Sequence, residues 1–291
     1  MSLGITGASG HLGRLTTDAL LERVHPSDVV LVTRDPSKLT AASTLGAQVR
    51  PGDFSDPSTL DEAFAGIERL LLISTHVVGE RVPGHLAAID AARRAGARHV
   101  LYTSIINPAP ENPAVVAADH RATEEGLLDS GLEWTFLRNS IYAEYQVPTA
   151  SQAIATGRHV HNSGDGGVSY VSREDCAAAA AGALAGGAEP GRAYDITGRE
   201  AITAADLAAL ASELSGRPIE VVGLDDDAYV AALVEQAQMP EPVARNIASF
   251  GASAREGFAA TVGDGVERLS GRPPRSFRDV LTAHLDELVP A

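Results

Sequence analysis

The sequence of 291 residues contains a single lysine, Lys38, and every other cationic side chain is an arginine. This scarcity excludes one kind of catalytic site and leaves a single candidate residue for another. No tyrosine can have a lysine four residues later to lower its pKa, so that acid–base pair is absent. A Schiff base would have only Lys38 as its amine. Chemistry in this protein therefore depends on other side chains or on a cofactor.

Cysteine and long apolar runs are also scarce. Cys176 is the only cysteine, which excludes an intrachain disulfide, and no spacing typical of a metal site is present. No apolar run approaches the roughly 20 residues of a membrane span, and the N-terminus lacks a signal segment. A net charge of −15 argues against binding to nucleic acid or an anionic membrane. We therefore expect a soluble, cytoplasmic protein with small-molecule partners.

A glycine-rich turn is the strongest motif that the sequence does contain. Residues 3–13 read LGITGASGHLG, a short apolar strand that runs into three glycines, Gly7, Gly10 and Gly13, and a helical pattern follows. The three glycines allow chain reversal, close approach of a pyrophosphate and close packing of the helix on the sheet, while the helix N-terminus faces the phosphates. The alternative is a tight strand-to-helix turn with no ligand. The predicted dinucleotide-binding residues here are Thr6, Gly7, Ser9, Gly10, His11, Leu12 and Gly13.

The end of the second predicted strand indicates which dinucleotide is preferred. An acidic residue at the strand's end would hold the ribose 2′-hydroxyl of NAD, but the strand runs into Arg34, with Lys38 four residues later. Two cations at this place favour a 2′-phosphate. We therefore predict NADP(H), with NAD(H) bound more weakly. The alternative is a solvated loop with ordinary charges.

Strands and helices alternate regularly through the first 140 residues. This alternation predicts an α/β fold, a doubly wound parallel sheet of the Rossmann type, with ligands at the carboxyl ends of the strands. We predict a dinucleotide-binding domain over residues 1–140 and a smaller substrate-side lobe over residues 141–291. Some later strands are expected to rejoin the main sheet.

Six segments together resemble one family, the NmrA-like atypical short-chain dehydrogenases, and within it the type 2 quinone oxidoreductases and triphenylmethane dye reductases. They are TGASGHLGR, VTRDPSK, RLLLIS, HVLYTS, DHRATEEGLLDSG and WTFLRNSIYAEY. The resemblance implies that Arg34 and Lys38 read the 2′-phosphate and that Asp53 and Phe54 contact adenine. It also implies further cofactor contacts at strand ends, at Ser74, Thr103, Ser104 and Asn139.

The same resemblance implies a departure from the usual catalytic pair. His120 stands where related enzymes have their lysine, and Val116 where they have their tyrosine. We take Ser104, His120 and Tyr142 as the catalytic candidates. Pairing of His120 with Glu124 one turn later is the slightly favoured alternative for that residue. Tyr145 and His76 are further pocket candidates, although both tyrosines could equally lie in the core and His76 in a plain loop.

These features predict an NADP(H)-dependent reductase that transfers hydride directly to a quinone or similar flat electrophile, without flavin or metal. Such a reaction yields a resonance-stabilised phenolate, so a strong protein acid is not needed. The alternative from another class is an NmrA-type redox sensor that binds the dinucleotide without turnover. A sugar-nucleotide epimerase is disfavoured by Val116 and His120. The expected state is a monomer or a homodimer.

Overall fold

The computed structural model describes residues 1–75 and 79–288. Nine strands and thirteen α-helices are found within these ranges. The strands are β1 Leu3–Ile5, β2 Val29–Thr33, β3 Gln48–Pro51, β4 Arg69–Leu72, β5 His99–Ile105, β6 Glu133–Asn139, β7 Arg158–His161, β8 Arg192–Ile196 and β9 Glu220–Gly223. The helices are α1 His11–Leu21, α2 Thr40–Thr44, α3 Leu60–Phe64, α4 Arg81–Arg94, α5 Val115–Asp129, α6 Gln146–Thr156, α7 Arg173–Gly182, α8 Ala204–Ser215, α9 Asp226–Gln236, α10 Glu241–Arg255, α11 Gly265–Ser270, α12 Phe277–Ala283 and α13 Leu285–Leu288.

Seven of the strands form one parallel sheet in the order β3-β2-β1-β4-β5-β6-β8. The chain winds outward from β1 to β3 and then crosses back to β4 on the other side of β1. The predicted doubly wound α/β fold is therefore confirmed. In such sheets a crevice opens at the carboxyl ends of the two strands where the winding reverses, here β1 and β4. This crevice positions the site.

Two apolar layers cover the two faces of this sheet. One layer joins the strands to α1, α7 and α11, with Leu20 and Leu269 among its buried residues. The other joins them to α3, α4 and α5, with Phe64 and Leu127 buried. Burial on both faces explains why β2 and β4 are continuous apolar runs rather than alternating ones.

Helix α7 explains the alanine-rich segment that contains Cys176. Residues from Asp175 through Gly182 are all buried, because the helix is packed between α1 and α11. A Cβ atom at Gly182 would lie 1.9 Å from the carbonyl oxygen of Leu269. Only small side chains fit between elements that approach this closely. Cys176 is accordingly a small buried side chain without a disulfide partner.

The later part of the chain contributes to both lobes. Strand β8 pairs with β6 in the main sheet, while β7 and β9 form a separate two-stranded parallel sheet. Helices α6, α8, α12 and α13 share another apolar cluster that includes Val147 and Leu281. Two elements that follow residue 140 pack with elements that precede it: β8 pairs with β6, and α7 packs on α1. The division of the chain into two domains at residue 140 therefore stays a prediction.

Some element boundaries differ from those expected. The sequence pattern predicts a helix over residues 119–130, but α5 begins one turn earlier, at Val115, because Val116 and Ala117 bury an additional apolar turn. The sequence pattern predicts no helix between residues 259 and 275, where α11 lies, and one helix over residues 276–288, which the structure divides into α12 and α13 at His284. Within residues 1–75 and 79–288, no helix combines the length and the apolar character needed to cross a membrane.

Candidate functional site

A cleft of about 1790 Å³ opens at the carboxyl ends of the parallel strands. A typical ligand pocket has roughly 300–1,000 Å³, so this cleft has room for a dinucleotide and a second molecule. Its walls come from both lobes. The predicted site residues that line it are Thr6, Gly7, Ser9, Gly10, His11, Leu12, Gly13, Arg34, Lys38, Asp53, Phe54, Ser74, Ser104, His120, Asn139 and Tyr142.

The glycine-rich turn forms one end of the cleft. Gly7 has a φ of +60°, a left-handed conformation that favours glycine. A Cβ atom at Gly13 would lie 2.3 Å from the carbonyl oxygen of Gly7, so the turn and α1 are in direct backbone contact. Gly10 is the N-cap of α1, and no side chain caps this helix. The first N–H groups of α1 thus remain available to an anion such as a pyrophosphate.

Hydrogen bonds from side-chain hydroxyl groups connect this turn to the neighbouring strands. The Ser9 and Thr33 side-chain oxygens are 2.7 Å apart, which connects the turn to the end of β2. The hydroxyl of Thr6 donates to the carbonyl of Leu71 and accepts from the backbone N–H of Ile73. These bonds hold the ends of β1, β2 and β4 in a fixed arrangement around the crevice.

Arg34 and Lys38 are exposed and line the cleft beside the glycine-rich turn. Between them, the carboxylate of Asp35 accepts hydrogen bonds from the backbone N–H and hydroxyl of Ser37 at 3.1 and 2.6 Å. The Ser37 hydroxyl bond lowers the pKa of Asp35. Lys38 Nζ is 3.8 Å from Asp35 Oδ2, an exposed and therefore weak pair. The Asp35 carboxylate is thus bound to its own turn, and the two cations face the cleft.

Asp53 and Phe54 form the adjacent wall. The carboxylate of Asp53 accepts the backbone N–H of Ser55 at 3.0 Å, and this bond lowers the pKa of Asp53. The ring of Phe54 meets the buried imidazole of His85 edge to face, with the centroids 6.0 Å apart. Phe54 therefore offers a partly exposed aromatic surface at the place where the resemblance implies an adenine contact.

The ends of β4, β5 and β6 form the middle of the cleft. Ser74 donates its backbone N–H to the hydroxyl of Thr103 at 2.9 Å. Thr103 does not line the cleft, because its hydroxyl is directed at Ser74 behind the wall. Ser104 does line it, and its Oγ is buried with no hydrogen-bond partner among the described residues. A buried hydroxyl without a partner is costly, so this atom is poised to bond a ligand. Asn139, the last residue of β6, lines the same region.

The environment of His120 differs from the predicted one. Its Nε2 accepts from Arg81 at 3.3 Å, which leaves the ring proton on Nδ1 to be donated to the hydroxyl of Tyr102 at 2.9 Å. The predicted pairing with Glu124 is wrong, because Arg138 from β6 binds that carboxylate through two hydrogen bonds, at 3.0 and 2.6 Å. Burial and the neighbouring Arg81 cation hold the pKa of His120 well below its usual value.

Aromatic side chains and an arginine line the cleft beyond β6. Tyr142 is half-buried against the core, Tyr145 is exposed, and their ring centroids are 5.8 Å apart. The guanidinium of Arg173 lies over both rings, 4.9 Å from the Tyr142 centroid and 4.6 Å from that of Tyr145. Burial raises the pKa of Tyr142 above its usual value, so its hydroxyl stays protonated at neutral pH.

Several cleft residues had no signal in the sequence. They come from the second lobe and include His161, Tyr229, Asn246 and Phe250, together with Arg81 from α4. No local motif joins them, since β7, α9 and α10 meet only through tertiary packing. The candidate His76 lies outside the described residues. The roles of all the site residues stay predictions.

Comparison with known proteins agrees with this geometry. A family model described as NAD(P)H-binding matches residues 7–186. Quinone oxidoreductase 2 of Escherichia coli is 34% identical over 277 residues, covering 95% of this chain and 96% of that protein. The crystal structure of an Escherichia coli NADPH-dependent quinone oxidoreductase with NADPH has a TM-score of 0.92 at 33% identity, covering 96% and 98% of the two chains.

A second solved structure extends the comparison to dye reduction. The triphenylmethane reductase of Citrobacter sp., in complex with NADP(H), is 29% identical with a TM-score of 0.87, and 97% and 99% of the two chains are covered. The resemblance inferred from the sequence motifs is confirmed, and so is the prediction of a nicotinamide dinucleotide as cofactor. The chain belongs to the NAD(P)H-binding family and is an NAD(P)H-dependent oxidoreductase.

Proposed function

We propose that this protein is an NADPH-dependent reductase that transfers hydride directly to a quinone or similar flat, conjugated electrophile, without flavin or metal. The observation that carries the proposal is that one continuous cleft runs from the glycine-rich turn and Arg34 to Tyr142 and Arg173. A dinucleotide and an acceptor in one cleft can be in contact, so no intermediate electron carrier is required. The relatives named for quinones and triphenylmethane dyes support the same substrate class.

Residues of this chain fit NADPH along the cleft. The N–H groups at the start of α1 suit the pyrophosphate, and Gly10 at the N-cap has no side chain that would obstruct it. Arg34 and Lys38 suit the 2′-phosphate. Ser104 Oγ and Asn139 suit the nicotinamide end, where an unpartnered buried hydroxyl would gain a hydrogen bond. When bound, NADPH supplies the hydride.

After hydride transfer the reduced acceptor must gain a proton, and this step needs no dedicated acid. A quinone oxygen that gains charge becomes a phenolate whose charge is spread over the ring, and water or a neutral hydroxyl can protonate it. Tyr142 and Ser104 are neutral hydroxyls on the cleft wall. Val116 belongs to a small apolar cluster against which Phe250 packs, so an apolar side chain stands where related enzymes have their tyrosine.

The test is NADPH oxidation by the purified protein against a panel of quinones, triphenylmethane dyes and aldehydes. We expect turnover with the flat conjugated acceptors and little with aldehydes. Deuterium at the transferred position of NADPH should slow single turnovers and appear in the product. A flavin spectrum in the active protein, or activity that a chelator removes, would contradict direct transfer. Tight NADPH binding with no turnover of any acceptor would instead favour a redox sensor.

A further inference from the structure

Arg173 is the first residue of α7 and contributes to the cleft wall beyond β6. Its guanidinium is held over the faces of Tyr142 and Tyr145, at 4.9 and 4.6 Å from the ring centroids. Stacking of this kind occupies the flat face of a guanidinium and leaves its N–H edge free. The two tyrosines therefore fix the cation in place without using its hydrogen-bond donors.

No side-chain N–H of Arg173 has an acceptor, and no carboxylate lies within ion-pair distance of it, among residues 1–75 and 79–288. Two other arginines of the cleft are paired: Arg81 Nε lies 3.2 Å from Asp119, and Arg158 Nε lies 3.3 Å from Glu220. Five N–H donors of a half-buried guanidinium are thus available to a ligand.

One carboxylate does lie near the start of α7. Glu144 Oε1 accepts the backbone N–H of Arg173 at 2.9 Å, while its Oε2 is buried without a hydrogen-bond partner in the part of the chain that the structure describes. Glu144 does not line the cleft. This carboxylate anchors the backbone of Arg173 and offsets part of its charge, but it leaves the side-chain donors unoccupied.

The location of Arg173 separates it from the predicted 2′-phosphate site. Tyr142 forms a bridge with Val171, two residues before Arg173, which places the arginine next to the end of β6. Arg34 follows β2, four strands away in the sheet order. At about 4.8 Å per strand, the ends of β2 and β6 are about 19 Å apart. An anion at Arg173 would therefore belong to the acceptor rather than to the adenosine ribose.

We propose that Arg173, clamped by Tyr142 and Tyr145, selects acceptors that carry an anionic substituent, a sulfonate or a carboxylate, on the flat conjugated ring. This proposal rests on the proposed quinone reductase function. Bidentate bonding to an oxyanion suits the planar arrangement of guanidinium donors. The protein has a net charge of −15, so a local cation is needed to attract an anionic substrate.

The experiment compares 1,4-naphthoquinone with its 2-sulfonate, measuring kcat/KM for each with wild type, Arg173→Gln and Arg173→Lys. The sulfonate changes the reactivity of the quinone itself, so the quantity that matters is the change in the ratio between protein variants. We expect Arg173→Gln to lower the ratio of kcat/KM for the sulfonate to kcat/KM for the neutral quinone by about tenfold or more. This is the effect of losing a charge-assisted hydrogen bond. Arg173→Lys should retain part of the preference.

Arg158→Gln is the matched control, because Arg158 also lines the cleft but is paired with Glu220. It should leave the ratio unchanged, whereas Arg173→Gln should lower kcat/KM for the sulfonate far more than kcat/KM for neutral naphthoquinone and should leave the Kd for NADPH unchanged. An unchanged ratio in Arg173→Gln overturns the proposal. So does equal loss with both quinones together with weaker NADPH binding, since Arg173 would then serve the cofactor.

Failure of the proposed function is distinguishable from failure of this inference. If wild type oxidises NADPH with neither quinone, the reductase proposal fails. Calorimetric titration of the same two quinones into the NADP⁺-bound protein then decides the role of Arg173. A preference for the sulfonate that disappears in Arg173→Gln supports anion selection, and equal dissociation constants overturn it.

Discussion

The imidazole of His120 lies at the wall of the cleft with both ring nitrogens in hydrogen bonds. Arg81 donates to one nitrogen, and the other donates to the Tyr102 hydroxyl. A second proton on this ring would have to displace the arginine, and burial opposes the added charge. His120 is therefore a neutral group at physiological pH. We therefore predict that His120 positions Arg81 and Tyr102 and does not provide a proton.

His120→Ala should lower kcat for quinone reduction only modestly, by less than the roughly 10²-fold expected for loss of a general acid. Since the pKa of His120 lies well below its usual value, the wild-type pH profile should contain no ionisation near pH 6.5 that this substitution removes. Steady-state kinetics between pH 5.5 and 8 would check both points. Near-complete loss of turnover with intact NADPH affinity would identify His120 as an acid or an essential substrate contact.

Arg34→Ala combined with Lys38→Ala should raise the Kd for NADPH about tenfold or more and leave the Kd for NADH unchanged. Both cations face the cleft, and charge-assisted bonds to phosphate are typically worth about 1.5–3 kcal/mol. Calorimetric titration of both dinucleotides would measure the difference. Arg93→Ala is the control, an exposed arginine that pairs with Asp90 outside the cleft. Equal NADPH and NADH affinities in wild type would contradict the prediction.

Site residues could be predicted from the sequence where their role follows from neighbouring residues. Gly7 and Gly13 are examples, since the conformation of one and the close backbone contact of the other belong to a single turn. The partner of His120 could not be found this way. Glu124 is one turn away on the same helix, but Arg138 reaches it from β6, and only the tertiary structure reveals that competition.

Among the elements, the turn from β1 into α1 combines folding and binding in one short segment. A Cβ atom at Gly10 would lie 3.1 Å from the carbonyl oxygen of Gly7, a contact that a slight shift relieves. At Gly13 the same atom would lie 2.3 Å from that oxygen and 2.8 Å from the Cα of Ala8. The two glycines are therefore expected to respond differently to substitution.

Gly10→Val should abolish NADPH binding while the protein still folds, because the added side chain occupies the space through which the pyrophosphate approaches. Gly13→Ala should instead destabilise the fold, by about 1–3 kcal/mol, as overpacking does. Circular dichroism on thermal unfolding, together with NADPH titration, separates the two effects. Retained NADPH affinity in a folded Gly10→Val protein would show that the turn is only structural.

Elements with local start signals could be predicted well. The sequence places Asp56 before Pro57, and Ser172 three residues before Asp175, and both patterns predict a helix start. In the structure Asp56 accepts the backbone N–H of Ser58 before α3, and Ser172 accepts that of Asp175 at the start of α7. Boundaries that depend on tertiary burial could not be predicted. Helix α11 is only six residues long, which is too short for a periodic apolar pattern to predict it. Its apolar residues are buried against α7 and β8.

At the scale of the whole molecule, buried neutral histidines make stability depend on pH. Burial lowers the pKa of His99 to about 4 and that of His85 to about 3. The unfolded chain titrates near pH 6.5, so between that pH and the folded values it binds more protons than the folded protein. The free energy of unfolding therefore falls as the pH drops from about 6.5 toward 4.

His99→Gln should reduce this pH dependence by about 2 kcal/mol between pH 7 and pH 5, since one titrating group is removed. Gln retains a group that can bond to the Thr135 hydroxyl, which His99 Nε2 contacts at 2.9 Å. Urea unfolding at the two pH values would measure the change. His25→Gln, at an exposed position, is the control. An identical loss of stability on acidification in His99→Gln and wild type would contradict the assignment.

The arrangement of the two lobes was the feature that the sequence predicted least well. Alternating strands and helices were enough to predict the sheet, because parallel strands require crossover helices. The second lobe has no comparable rule. His161 on β7, Tyr229 on α9 and Asn246 on α10 reach the cleft only because β7 pairs with β9 and α9 packs on α10. Such contacts join distant segments without a sequence motif.

The packing of α7 on α1, and of β8 beside β6, has a consequence for synthesis on the ribosome. The first 140 residues contain six strands of the sheet, yet the side of α1 that packs on α7 and the outer edge of β6 are covered by residues 173–196. At about 5–20 residues per second, roughly 3 to 11 s pass before that covering segment is made. A nascent chain in this interval presents an unpaired strand edge and an apolar helix face, which are the features that chaperones bind and that promote aggregation.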